Sequence, residues 1–83
     1  MKSTTYKGRT ITAHLTSQRG HYKLETTFYK RPISCIITDA ETYDWLDDKS
    51  KPHLHAEAKR YAYAKLKQTY KVDREDRWWN NEK

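Results

Sequence analysis

Tyr22-Lys23-Leu24-Glu25-Thr26-Thr27-Phe28-Tyr29 alternates with a period of two. Tyr22, Leu24, Thr26 and Phe28 fall on one face, and Lys23, Glu25, Thr27 and Tyr29 on the other. Successive side chains of an extended chain point to opposite faces, so this spacing predicts a half-buried strand. Upstream, Ile11, Ala13 and Leu15 share a face opposite Thr10, Thr12, His14 and Thr16. Downstream, Ile33, Cys35 and Ile37 oppose Ser34, Ile36 and Thr38. Thr, Tyr, Ile and Phe suit a pleated surface. Ser17-Gln18-Arg19-Gly20 supplies a turn, since Gly20 can adopt positive φ. Tyr29-Lys30-Arg31-Pro32 is a weaker turn signal, because Pro32 lacks an N–H and belongs at a strand edge or in the loop. The economical arrangement is a three-stranded antiparallel meander.

Past Thr38 the period changes. Thr38-Asp39-Ala40-Glu41 matches a capping box and predicts a short acidic helix from about Asp39 to Asp47, with Ala40, Tyr43 and Leu46 inward. Asp39 and Glu41 also suit the positive end of its dipole. Lys49-Ser50-Lys51-Pro52 is a break, with Ser50 a fitting cap and Pro52 tolerated in the next first turn. From His53 to about Tyr70 runs an Ala-rich stretch without Gly or Pro; Leu54, Ala58, Tyr61, Ala62, Leu66 and Thr69 lie on one stripe at helical spacing. The order β-β-β-α-α gives an α+β fold: a three-stranded sheet packed on a C-terminal helix, with residues 1–5 and 72–83 as frayed tails.

The composition bounds the class. Eighty-three residues and 10.0 kDa make a single domain, with 35% apolar and 34% charged residues and a mean hydropathy of -1.23. So short a chain buries only about 60% of its unfolded surface. Three Trp, seven Tyr and one Phe argue for an ordered aromatic core, since disordered chains are poor in rings. No apolar run reaches membrane-spanning length, and Met1-Lys2-Ser3-Thr4-Thr5 has no signal-like apolar region; a cytoplasmic, non-secreted protein is expected. Cys35 alone provides neither a disulfide framework nor a multi-cysteine zinc site, and reads as a small buried thiol.

Lys and Arg outnumber Asp and Glu by 17 to 11, giving +6 and a pI near 9.5. The excess favours polyanionic partners. It is unevenly spread: two basic segments, Met1–Ile37 and Lys49–Lys71, flank an acidic one containing Asp39, Glu41, Asp44, Asp47 and Asp48.

If the apolar sheet face meets the long helix, the open face shows Thr12, His14, Lys23 and Tyr29, with Arg9, Arg19, Lys30 and Arg31 in flanking loops. Cations there would contact phosphates, while Thr, His and Tyr reach bases or sugars, although an exposed sheet face is polar in any case. Arg60, Lys67 and Lys71 form a basic stripe on the outer side of the helix, which suits either a phosphate backbone or plain solvent. The helix His55-Ala56-Glu57-Ala58-Lys59-Arg60-Tyr61-Ala62-Tyr63-Ala64-Lys65-Leu66 resembles the Ala/Lys-rich last helix of double-stranded-RNA-binding domains. The β-β-β-α order is similar to that of those domains, of integrase arm-binding domains and of plant AP2 domains. The resemblance is one of architecture; it implies a sheet able to face nucleic acid and carries over no residue.

Asp44, Trp45 and Asp47 offer a different surface, suited to a basic protein partner, or to a solvated helix with Trp45 in the core. Trp78 and Trp79 would close the core, fill a homodimer contact or anchor a partner. His14, His21, His53 and His55 give only a His-x-His pair, and no phosphate loop or nucleophile motif is present. No metal, cofactor, small-molecule substrate or catalytic residue is therefore expected. The expectation is a small non-enzymatic module that binds DNA or RNA, an accessory or regulatory protein of phage or mobile-element type. The alternative is a protein-binding regulator or inhibitor acting through the acidic Tyr43/Trp45 segment or the Trp78/Trp79 tail.

Overall fold

The computed structural model describes the backbone of residues 1–81 and the side chains of residues 1–72. Four strands, β1 (Lys2–Tyr6), β2 (Arg9–Leu15), β3 (Tyr22–Phe28) and β4 (Arg31–Ile37), form one antiparallel sheet in sequential order. Two helices follow, α1 (Ala40–Trp45) and α2 (Pro52–Asn81). The α+β class and the helices after the sheet match the expectation. The sheet, however, has a fourth strand.

That strand is β1, from residues placed in a tail by the sequence reading. It pairs with β2 from Lys2↔Ala13 to Tyr6↔Arg9. Its inward residues are Lys2, Thr4 and Tyr6, each half-buried and each held by a specific contact. Lys2 Nζ lies 3.3 Å from Asp47 Oδ1 and over the Tyr43 ring, Thr4 Oγ1 is 3.5 Å from His55 Nε2, and Tyr6 packs on Tyr63. An alternation of Lys, Thr and Tyr carries little apolar signal. Ring and polar contacts hold this strand, where aliphatic burial holds the others.

Lys7 and Gly8 form the β1–β2 turn with φ of 51° and 77°. This is the pattern of a two-residue hairpin whose twist suits right-handed strands. Tyr29 and Lys30 turn β3 into β4 in the same way, at φ of 50° and 67°, without a glycine. Pro32 is exposed on β4, an edge strand, where its missing N–H is tolerated.

The core joins Ile11, Ala13, Leu24, Phe28, Ile33 and Ile37 of the sheet to Tyr43 and Leu46 of the α1 region and Ala58, Ala62 and Leu66 of α2. Small alanines let α2 lie close to the sheet, and Leu66 fills the space beyond them. Three expected core positions are corrected. Leu15, the last residue of β2, is 67% exposed. Ala40 opens α1 on its solvent side, and Tyr61 is 38% exposed beside Ala62, at the edge of the stripe.

The caps also differ from expectation. Asp39, not Thr38, caps α1: its Oδ1 accepts from the N–H groups of Glu41 (2.9 Å) and Thr42 (3.1 Å), and its Oδ2 from Thr42 Oγ1 (2.7 Å). Thr38 lies one residue too early, just after β4. Ser50 turns its hydroxyl back to Asp48, and the first helical bond of α2 runs from His55 N–H to the Lys51 carbonyl, 2.9 Å. The cap position therefore falls on Lys51, with Pro52 in the first turn as expected. Helix α2 reaches Asn81, well past Tyr70 and into the stretch expected to fray. The side chains of Trp78 and Trp79 lie outside the described residues.

Candidate nucleic-acid interface

Because the strands alternate in direction, the turns at Lys7-Gly8 and Tyr29-Lys30 emerge at the same end of the sheet. Helix α2 passes this end with Tyr63, Lys67 and Tyr70. The rings form a chain of contacts: Tyr6 to Tyr63 at 4.9 Å between centroids, Tyr63 to Phe28 at 5.8 Å, Phe28 to Tyr70 at 5.1 Å, and Tyr70 to Tyr29 at 6.0 Å.

Cations lie on these rings. Lys7 Nζ is 5.7 Å from the Tyr6 centroid and 5.3 Å from that of Tyr63. The Arg9 guanidinium stands 4.6 Å over Phe28 and 5.5 Å from Tyr29, and Lys67 Nζ is 5.9 Å from Tyr63. Such contacts hold a positive group by the ring quadrupole and leave its charge intact. Lys30 and Lys71 are exposed nearby, and half-buried Arg31 pairs across the strands with Phe28. Lys7, Arg9, Lys30, Lys67 and Lys71 form no ion pair with a carboxylate among the described residues.

This placement corrects the expected open-face surface. Arg9 and Arg31 do not flank the solvent face: the register puts Arg9 in step with Ile11, and Arg31 with Ile33. Both therefore point to the helix side. On the open face, Lys23 is spent on Glu25 (Nζ to Oε1, 3.2 Å), as is His14 (Nε2 to Oε2, 2.8 Å). The Lys23 hydrogen bond, followed by that of His14, holds the Glu25 carboxyl below its ordinary value. Around this group lies an open groove of about 570 Å³ lined by Thr10, Thr12, Thr27, Ser34 and Pro32. It is a hydroxyl-rich surface whose few charges are paired.

The remaining candidates separate. Tyr29 joins the basic end; Arg19 sits in the β2–β3 loop at the other end. Arg60 lines a groove of about 510 Å³ between α1 and α2 with Asp39, Glu41, Glu57, Trp45 and Tyr61. Acid surrounds it, apart from Lys67 and Lys71. Asp44 is exposed on α1, and Asp47 is paired with Lys2. Tyr6, Lys7, Phe28 and Tyr70 are members of the basic end that the sequence does not single out for binding, whereas Tyr63 falls beside the basic stripe of the helix in the sequence itself. The alternation of Tyr6 with Arg9 across a Lys-Gly turn was the available signal.

Two histidines meet backbone carbonyls. His55 donates from Nδ1 to the Trp45 carbonyl (3.3 Å) while Nε2 meets Thr4, tying α2 to α1 and β1. His21 contacts the Arg19 carbonyl. Cys35 is half-buried on the inner face, and burial pushes its thiol up. Among the described residues no cluster of His, Cys, Asp and Glu could hold a metal, and no helix is long and apolar enough to cross a membrane. No protein-family model matches the chain, and no curated protein or solved structure is significantly similar to it.

Proposed function

We propose that the protein is a small nucleic-acid-binding module that grips its ligand with the two hairpin tips and the adjoining face of α2. The observation that carries this reading is the set of cations at that end: Lys7, Arg9 and Lys67 are held on rings, with Lys30 and Lys71 beside them and no described carboxylate paired to these five. Positive groups already fixed in place lose little freedom when they meet phosphates. Each cation that displaces a counterion contributes a slope of about -0.7 to -0.9 in log affinity against log salt.

The test is fluorescence anisotropy of labelled oligonucleotides at a series of salt concentrations. Binding is expected to weaken steeply with salt, and combined Ala substitution of Lys7, Lys30 and Lys67 to flatten that slope. No binding at low salt would sink the reading.

A second reading has its own observation. The groove beside Trp45 is lined by the carboxylates of Asp39, Glu41 and Glu57 against one cation, Arg60, a net acidity suited to a Lys or Arg side chain of a protein partner. Trp45→Ala would then lose a co-purifying protein without altering nucleic-acid affinity. A partner still retained by that variant speaks against it.

A further inference from the structure

We infer that the ligand of the basic end is single-stranded nucleic acid, and that the Tyr29 ring is the platform on which one of its bases stacks. The inference rests on the nucleic-acid reading above and narrows it. Tyr29 is 79% exposed, at the tip of the β3–β4 hairpin. The other rings at this end are committed: Phe28 is buried, and Tyr6, Tyr63 and Tyr70 pack against the core. Tyr29 alone among them offers an open face.

Its conformation argues the same way. Both turn residues have positive φ, a region that suits Asn and Gly and strains Tyr and Lys. An aromatic ring kept at such a position contributes little to the core, so its advantage is sought outside it. Tyr70 at 6.0 Å and Arg9 at 5.5 Å border the ring and limit its motion, while Lys30 and Arg31 follow it in sequence. A base that stacks there brings its flanking phosphates toward Arg9 and Lys30.

Paired bases hide their faces in the duplex stack, whereas a single strand presents them. Base stacking on a single strand needs only the ring face, which Tyr and Phe share, and no partner strand has to be unstacked to reach it. Stacking on any base also makes the site tolerant of sequence.

The experiment measures the anisotropy of labelled oligo-thymidine, oligo-uridine and a mixed-sequence duplex with the wild-type protein and with Tyr29→Ala and Tyr29→Phe. At least one single strand is expected to bind about tenfold or more tightly than the duplex. Tyr29→Ala should weaken that binding about tenfold with an unchanged salt slope, and Tyr29→Phe should retain it. Thermal melts of both variants control for folding. Duplex bound as tightly as single strand, or full affinity in Tyr29→Ala, overturns the inference and leaves the basic end as a phosphate-binding surface. No binding to any of the three probes overturns the nucleic-acid reading itself.

Discussion

Asp39 shows how much one side chain decides. Its carboxylate satisfies two N–H groups that the start of α1 would leave open, and takes the Thr42 hydroxyl as well. Asp39→Ala is expected to cost about 1 kcal/mol in denaturant unfolding. The Thr42 hydroxyl, aided by its N–H, holds the Asp39 carboxyl below its ordinary value. A carboxyl depressed in the folded state contributes stability above its unfolded value and loses it as pH falls through the folded one. The gap between wild type and Asp39→Ala should therefore be full at neutral pH and close in acid; a gap that persists unchanged would contradict the cap. The Tyr29-Lys30 turn makes the opposite prediction. Replacing it with Asn-Gly relieves two strained residues, each at roughly 1–2 kcal/mol, and should raise the melting temperature. An unchanged or lower melting point would show that the turn is not strained. At this scale the sequence was partly legible. Arg9 has the same parity as Ile11, and Arg31 the same as Ile33, so both could have been assigned to the helix side. Left-handed backbone at Tyr29 and Lys30 could not, because neither residue signals it.

Among the elements, β2, β3 and β4 were readable from alternation because one face is aliphatic and the other polar. β1 was not, because its inner face is Lys2, Thr4 and Tyr6, and its energy comes from partners distant in sequence. His55 is one of them, bridging Thr4 of β1 and the Trp45 carbonyl at the end of α1. His55→Ala should therefore cost about 1–3 kcal/mol, with amide exchange in β1 speeding up more than in β3. Equal effects on both strands would show that β1 does not depend on this tie. In α2, Leu66 is fully buried under the sheet, and Leu66→Ala is expected to cost about 2–5 kcal/mol by chemical denaturation. The extent of α2 past Tyr70 exceeded the reading because the apolar stripe stops there while helix-forming residues continue.

For the whole molecule, the sequence blocks become two ends. Antiparallel pairing places Leu15, Tyr22 and Ile37 in one row, with the acidic α1 region against Tyr22 and β1: Tyr43 stacks on Tyr22 and Lys2 is paired with Asp47. The hairpin tips at Lys7-Gly8 and Tyr29-Lys30 lie at the other end, about 20 Å away along seven-residue strands. A net charge of +6 thus resolves into a basic, ring-lined end and an end where acids and bases mix. The polarity was visible in the order of charges, but its spatial meaning needed the register, which no count of charges contains.

The direct test of that polarity compares two charge-reversal variants of identical net charge, Lys7/Lys30/Lys67→Glu at the basic end and Arg19/Lys49/Lys51→Glu away from it. Both are titrated against the same labelled oligonucleotide at one low salt concentration. If the basic end holds the ligand, the first abolishes binding and the second changes it only about threefold or less, through the general field. Equal losses in the two variants, or a greater loss in the second, would contradict that placement.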